Sequence, residues 1–156
     1  MTLSGLSISN ETDILKAMDI LHQRGMRTVV LTSMNGQENA KTLFGYGSQL
    51  GPNNTVQVFR YEVPRIDAYF VGTGDLFTSS LLLWLHRTNN CLEAALEKVL
   101  ATLQGVLKRT LDHARSRRGA ATLTSKDLEL RLIQSKDDLL CPKSPVQLIQ
   151  LENHQL

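Results

Sequence analysis

Asp67-Ala68-Tyr69-Phe70-Val71-Gly72-Thr73-Gly74-Asp75-Leu76-Phe77 is the stretch on which the reading of this sequence turns. Ala68 to Val71 is a short apolar run that predicts a buried strand, and a glycine-rich turn follows it. From Asp75 the apolar period becomes helical. Leu76, Phe77, Ser80, Leu81, Trp84 and Leu85 mark one face, while Leu82 and Leu83 fill much of the other. A helix apolar nearly all round expects cover on more than one side. The turn therefore sits at a helix N-terminus, where free backbone amides and the helix dipole favour an anion. Gly72 and Gly74 allow the backbone to approach that anion without a Cβ in the way, and the Thr73 hydroxyl adds a donor. Asp75, in the first helical turn, is placed to take a proton from a hydroxyl while the amides stabilise a phosphoryl group in transfer. The four residues Gly72 to Asp75 alone also suit a plain strand-to-helix turn capped by an acid. They are not a Walker A loop, because no Lys-Ser/Thr follows, and not a dinucleotide fingerprint, because the third glycine is missing.

Upstream, Thr42 to Ser48 and Thr55 to Val63 read as strands joined by the turn Gly51-Pro52-Asn53-Asn54, with Pro64 closing the second. Ser33 to Lys41 is polar and loop-like. Arg27 to Thr32 reads as a strand whose run Val29-Val30-Leu31 expects cover on both faces. Before it, Ile14, Leu15, Met18 and Leu21 recur at helical spacing. Asn10 is placed to cap that helix and Gly25 to end it. Helix, turn and buried strand make half of an α/β unit. Downstream, a long amphipathic helix runs from about Cys91 to Arg118, with Gly119 as its cap. The tail from Thr122 to Leu156 is mixed.

The chain has 156 residues, 42% of them hydrophobic and only 5% aromatic, so aliphatic side chains must dominate one core. A net charge of +2 gives no electrostatic case for a nucleic-acid partner. Lys108, Arg109, Arg115, Arg117 and Arg118 gather near a helix C-terminus, where the dipole favours cations. Cys91 and Cys141 form neither a disulfide framework nor a zinc pattern, and read as free packing thiols. His22, His86, His113 and His154 show no ligand spacing and suit surface or helix-end positions. The longest apolar run, Leu81 to Leu85, is far too short to cross a membrane, and Met1 to Asn10 has no leader pattern. A cytoplasmic, soluble protein is the expectation.

The longer stretch Asp67 to Phe77 closely resembles the C-terminal signature of pyridoxal kinases in the ribokinase-like superfamily. Leu3-Ser4-Gly5, Thr28-Val29-Val30-Leu31-Thr32-Ser33 and Glu129-Leu130-Arg131-Leu132-Ile133-Gln134-Ser135-Lys136 are similar, in order, to other segments of that family. The resemblance implies an α/β fold with a central, mostly parallel sheet and flanking helices, of which residues 1–156 make the C-terminal nucleotide-binding and catalytic portion. It implies transfer of the ATP γ-phosphoryl group to the 5′-hydroxymethyl of pyridoxal, pyridoxamine or pyridoxine, in vitamin B6 salvage. By position, Asp75 is then the general base and contacts the substrate hydroxyl, and Gly72 to Asp75 form the anion hole. Thr32, Ser33, Ile66, Asp67, Ala68, Thr73 and Gly74 face the nucleotide. Magnesium or another divalent ion accompanies ATP, Thr32 helps hold a monovalent cation (potassium or sodium), and the family acts as a homodimer. The family's N-terminal half is not represented, which expects an open sheet edge and an uncovered apolar helix. Two other readings stay open. One is a related hydroxymethylpyrimidine or sugar kinase, against which the run Glu129 to Lys136 argues. The other is a non-catalytic fragment that binds nucleotide weakly or pairs with a full-length kinase subunit.

Overall fold

The computed structural model describes residues 3–34, 41–119, 122–143 and 146–156. Most of the loop expected over Ser33 to Lys41 falls outside them, as does the Ser33 side chain.

Helix α1, Glu11–Gln23, begins where its capping chemistry predicts: the Asn10 carboxamide oxygen accepts from the Asp13 amide at 2.9 Å. Gly25, at φ 93°, takes the left-handed position beyond the helix end. The strands that follow are β1 (Thr28–Met34), β2 (Thr42–Leu50) and β3 (Thr55–Pro64). Two short strands from the tail complete the sheet, β4 (Leu148–Gln150) and β5 (His154–Gln155). The order is β1-β2-β3-β4, with β5 also on β3.

Sequence reasoning expected a central sheet with flanking helices, and that is the architecture. Among the described residues the expected parallel pairing is not found in any ladder: each of them is antiparallel. The local reason is the turn between β2 and β3, where Asn53 and Asn54 adopt φ 58° and 57° and fold the chain straight back. Parallel pairing survives as one isolated bridge, Val71 to Glu129. Ala68 to Val71 is accordingly not a regular strand. Tyr69 is 80% exposed and Val71 50%, because an apolar run becomes a strand only beside a neighbour that pairs with it.

Strand alternation sends β2 and β3 side chains to opposite faces. On one face Tyr46 packs with Ile14 and Met18 of α1, flanked by Val29 and Leu31. His22 is buried at the end of α1, joined to the Met26 carbonyl at 2.6 Å and the Ser48 hydroxyl at 2.8 Å. On the other face lie helices α2 (Thr73–Arg87) and α3 (Leu92–Arg118). Phe59, Tyr61 and Val63 of β3 meet Phe77 of α2 and Leu92, Leu96, Val99 and Leu100 of α3 in the main core. Gly47 permits that approach, since a Cβ there would stand 2.5 Å from Leu96 Cδ1. Gly45 likewise makes room for the Tyr61 ring.

The uncovered apolar helix expected from the sequence is α2, whose outer flank leaves Leu82 74% exposed and Leu83 41%. A short helix α4, Lys136–Leu140, was not anticipated. Cys91 and Cys141 are free but exposed rather than packed, because they stand just outside the ends of α3 and α4. The basic end of α3 is exposed, and Arg118 is paired with Asp127 at 2.9 Å.

Candidate active site

The site starts with one backbone angle. Gly72 adopts φ 91°, ψ 7°, a left-handed conformation that costs other residues energy, and it turns the chain directly into α2. The first bond of the new helix runs from the Leu76 amide to the Gly72 carbonyl at 3.1 Å. The amides of Thr73, Gly74 and Asp75 therefore precede helical pairing, and Gly72 has no side chain to cap them. Among the described residues, nothing beyond the neighbouring backbone of its own helix lies within 4 Å of the point where a Gly74 Cβ would stand. Glycine in a first turn costs helix stability of about 1 kcal/mol relative to alanine. Here it keeps open the space in front of the free amides.

That space belongs to a cavity of about 340 Å³. Its lining includes Thr73 and Gly74, with Thr32 from near the end of β1. Its apolar wall comes from Ile66, Ala68 and Phe70 on the segment before the turn, Phe77 on α2, and Leu100, Leu103 and Leu107 on α3. Thr32, Ile66, Ala68, Thr73 and Gly74, five of the residues nominated by the family resemblance, all line this cavity. Gly72, Asp67 and Asp75 do not line the cavity and are exposed beside it, Asp75 within the first turn of α2.

Sequence reasoning missed Tyr61. Its buried hydroxyl lies 3.0 Å from the Leu31 carbonyl and 2.9 Å from that of Thr32, donating to this pair and fixing the strand end that forms one wall of the site. Burial pushes its phenol well above the ordinary tyrosine range. The available signal was its alternation with Phe59 and Val63, although only the register with Gly45 reveals the space it fills. Leu103 and Leu107 of α3 also wall the cavity.

The described residues do not make a cage for a metal ion. Among them no three His, Cys, Asp or Glu side chains gather closely enough to hold one. Thr32, the residue nominated for a monovalent cation, has its backbone carbonyl accepting from the Tyr61 hydroxyl.

No family model matches the chain. Pyridoxal kinase of Homo sapiens is 40% identical over 152 residues, covering 93% of this chain and 49% of that protein. Pyridoxal kinase from Leishmania donovani in complex with ADP and pyridoxamine superposes with a TM-score of 0.81 at 25% identity, over 96% of this chain and 48% of that one. Plasmodium falciparum PdxK with AMP-PNP and PL superposes with a TM-score of 0.76 at 26% identity, over 96% and 46%. The chain spans about half the length of the curated relatives it matches. By sequence and by fold alike, it matches the C-terminal half of a pyridoxal kinase.

Proposed function

We propose that the chain carries the phosphoryl-transfer half of an ATP-dependent kinase acting on pyridoxal, pyridoxamine or pyridoxine. The observation that carries this reading is the start of α2: unpaired amides at Thr73, Gly74 and Asp75, with open space over Gly74, which lines an apolar-walled cavity. The apolar wall suits the base of a nucleotide, and the amides suit its phosphates.

In this reading the substrate hydroxyl oxygen forms a bond to the γ-phosphorus as the bond to the β–γ bridging oxygen breaks, and ADP leaves. The hydroxyl proton passes to the Asp75 carboxylate. The amides of Gly72 to Asp75 take the charge of the transferring group, with Thr73 adding its hydroxyl. Thr32 and Ser33 at the end of β1, and Ile66, Asp67 and Ala68, border the nucleotide. Tyr61 holds the first of these elements in place. Magnesium, when bound with ATP, neutralises phosphate charge, and the described residues supply no cage of their own for it. A homodimer and a cytoplasmic location belong to the same proposal. No described helix is long and apolar enough to cross a membrane.

A second reading, a non-catalytic partner of a kinase subunit, is favoured by the exposed flank of α2 at Leu82 and Leu83. Pyridoxal-dependent ATP turnover separates the two. The catalytic reading expects turnover that falls about 10²–10⁴-fold in Asp75→Ala. Turnover that Asp75→Ala leaves unchanged would remove Asp75 from the chemistry. Nucleotide binding with no turnover in the folded chain would favour the second reading.

A further inference from the structure

What backs the left-handed turn at Gly72 lies outside the cavity. Among the described residues, and beyond its chain neighbours, the atom nearest the point where a Gly72 Cβ would stand is Leu130 Cδ1, at 3.7 Å. One residue earlier, Val71 bridges in parallel to Glu129. The chain entering α2 is thus backed by Glu129 and Leu130, neither of which lines the cavity. Glycine has no side chain with which to hold a φ of 91°. Anion binding through amides depends on the direction in which they point. The backing residue therefore bears on the site.

Glu129 and Leu130 have little hold of their own. Glu129 is exposed, Leu130 is half-buried, and an isolated bridge lacks the ladder that fixes a strand. Their register is set by α3. The Arg131 amide donates to the Thr110 hydroxyl at 3.2 Å, and that hydroxyl donates to the Val106 carbonyl at 2.8 Å. A helical threonine commonly gives its hydrogen to the carbonyl four residues back, which leaves its oxygen to accept. Thr110 is fully buried, and the Arg131 amide takes that place. The tail is fastened to α3 a second time at Asp138. Its carboxylate pairs with Arg109 at 3.0 Å, and its carbonyl accepts from the Thr102 hydroxyl at 3.1 Å. Gly105 leaves room for it, since a Cβ there would stand 2.8 Å from Asp138 Cγ.

We propose that Leu130 is a positioning residue for the candidate site. Held in register by the Thr110 hydroxyl, it backs the Gly72 turn and keeps the amides of Thr73, Gly74 and Asp75 aimed at one anion. The inference rests on the kinase reading for the identity of that anion, a nucleotide phosphate.

The test titrates the full chain and its variants with ADP and with adenosine, and reads the ratio of the two affinities. Only folded protein binds either ligand, so a variant that merely lowers stability leaves the ratio alone. Leu130→Ala should cut the ratio by about tenfold, the worth of roughly one charge-assisted hydrogen bond, with adenosine affinity unchanged. Thr110→Val should do the same, and Thr110→Ser, which restores the hydroxyl, should return the wild-type ratio. Ile133→Ala, in the same tail at a position 87% exposed, should match wild type. A wild-type ratio in Leu130→Ala would overturn the proposal, even where Thr110→Val fails to fold, because Leu130 is half-buried and its truncation removes no hydrogen bond. A loss that Thr110→Ser does not restore would overturn the part given to the hydroxyl. Equal binding of ADP and adenosine by the wild type would instead sink the phosphate reading of the amides, so the two failures stay distinct.

Discussion

The β2–β3–α3 body and the α2–β1 border are built from similar aliphatic residues but end in different states. In the body, Val56, Val58, Tyr61, Leu92, Leu96, Val99 and Val106 are essentially inaccessible to water. At the border, Tyr69, Val71, Leu82 and Leu83 remain in solvent, and β1 ends the sheet. The body is closed by contacts internal to the chain, whereas the border carries the candidate site and only part of its walls. Stability and activity should therefore respond to different substitutions.

The largest expected effect lies at the border: Asp75→Ala should remove about 3–5 kcal/mol of transition-state stabilisation, read as loss of turnover, with little change in the melting curve. In the body, Leu96→Ala should cost about 2–5 kcal/mol of stability by leaving a cavity under β2, measured by chemical denaturation. If Leu96→Ala were mild while Leu82→Ala was severe, the contrast between the two regions would be wrong.

Tyr61 links the regions. Tyr61→Phe leaves the Leu31 and Thr32 carbonyls without their donor and should cost about 1–3 kcal/mol, together with weaker nucleotide binding. Equal loss of stability without a binding defect would confine Tyr61 to the body.

Some of this was legible in the sequence and some was not. α1, α2 and α3 announced themselves by period and caps, as did the β2–β3 hairpin by its Gly51 to Asn54 turn. The apolar run Ala68 to Val71 misled, because apolarity records burial in some partner and does not say whether the partner is in this chain. β4 and β5 are too short to show an alternating pattern. The parallel sheet came from family resemblance rather than from the residues. At the site, Gly72 and Gly74 were legible because backbone geometry forces glycine there or leaves it free. Tyr61 was not, because its role depends on a register between strands that no local pattern encodes.

Smaller effects sharpen the same contrast. Tyr46, on the α1 face, has its phenol pushed up to about 12 by burial and then by the hydroxyl's bond to the Glu11 carboxylate at 2.6 Å. A group with a raised folded-state pKa contributes stability that is present below its unfolded value and lost as pH rises through the folded one. Tyr46 should therefore contribute a decline in stability between the ordinary tyrosine range and pH 12, and Tyr46→Phe should flatten that part of an alkaline denaturation profile. A profile identical in the two proteins would mean that Tyr46 is not held buried against Glu11 in solution.

The most direct test of the central claim, that the start of α2 holds nucleotide phosphates, is calorimetric titration of the chain with ADP and with adenosine, repeated on Gly74→Val. ADP should bind more tightly than adenosine, and Gly74→Val should remove the difference while the fold persists. Equal affinity for ADP and adenosine, or ADP binding untouched by Gly74→Val, would contradict it.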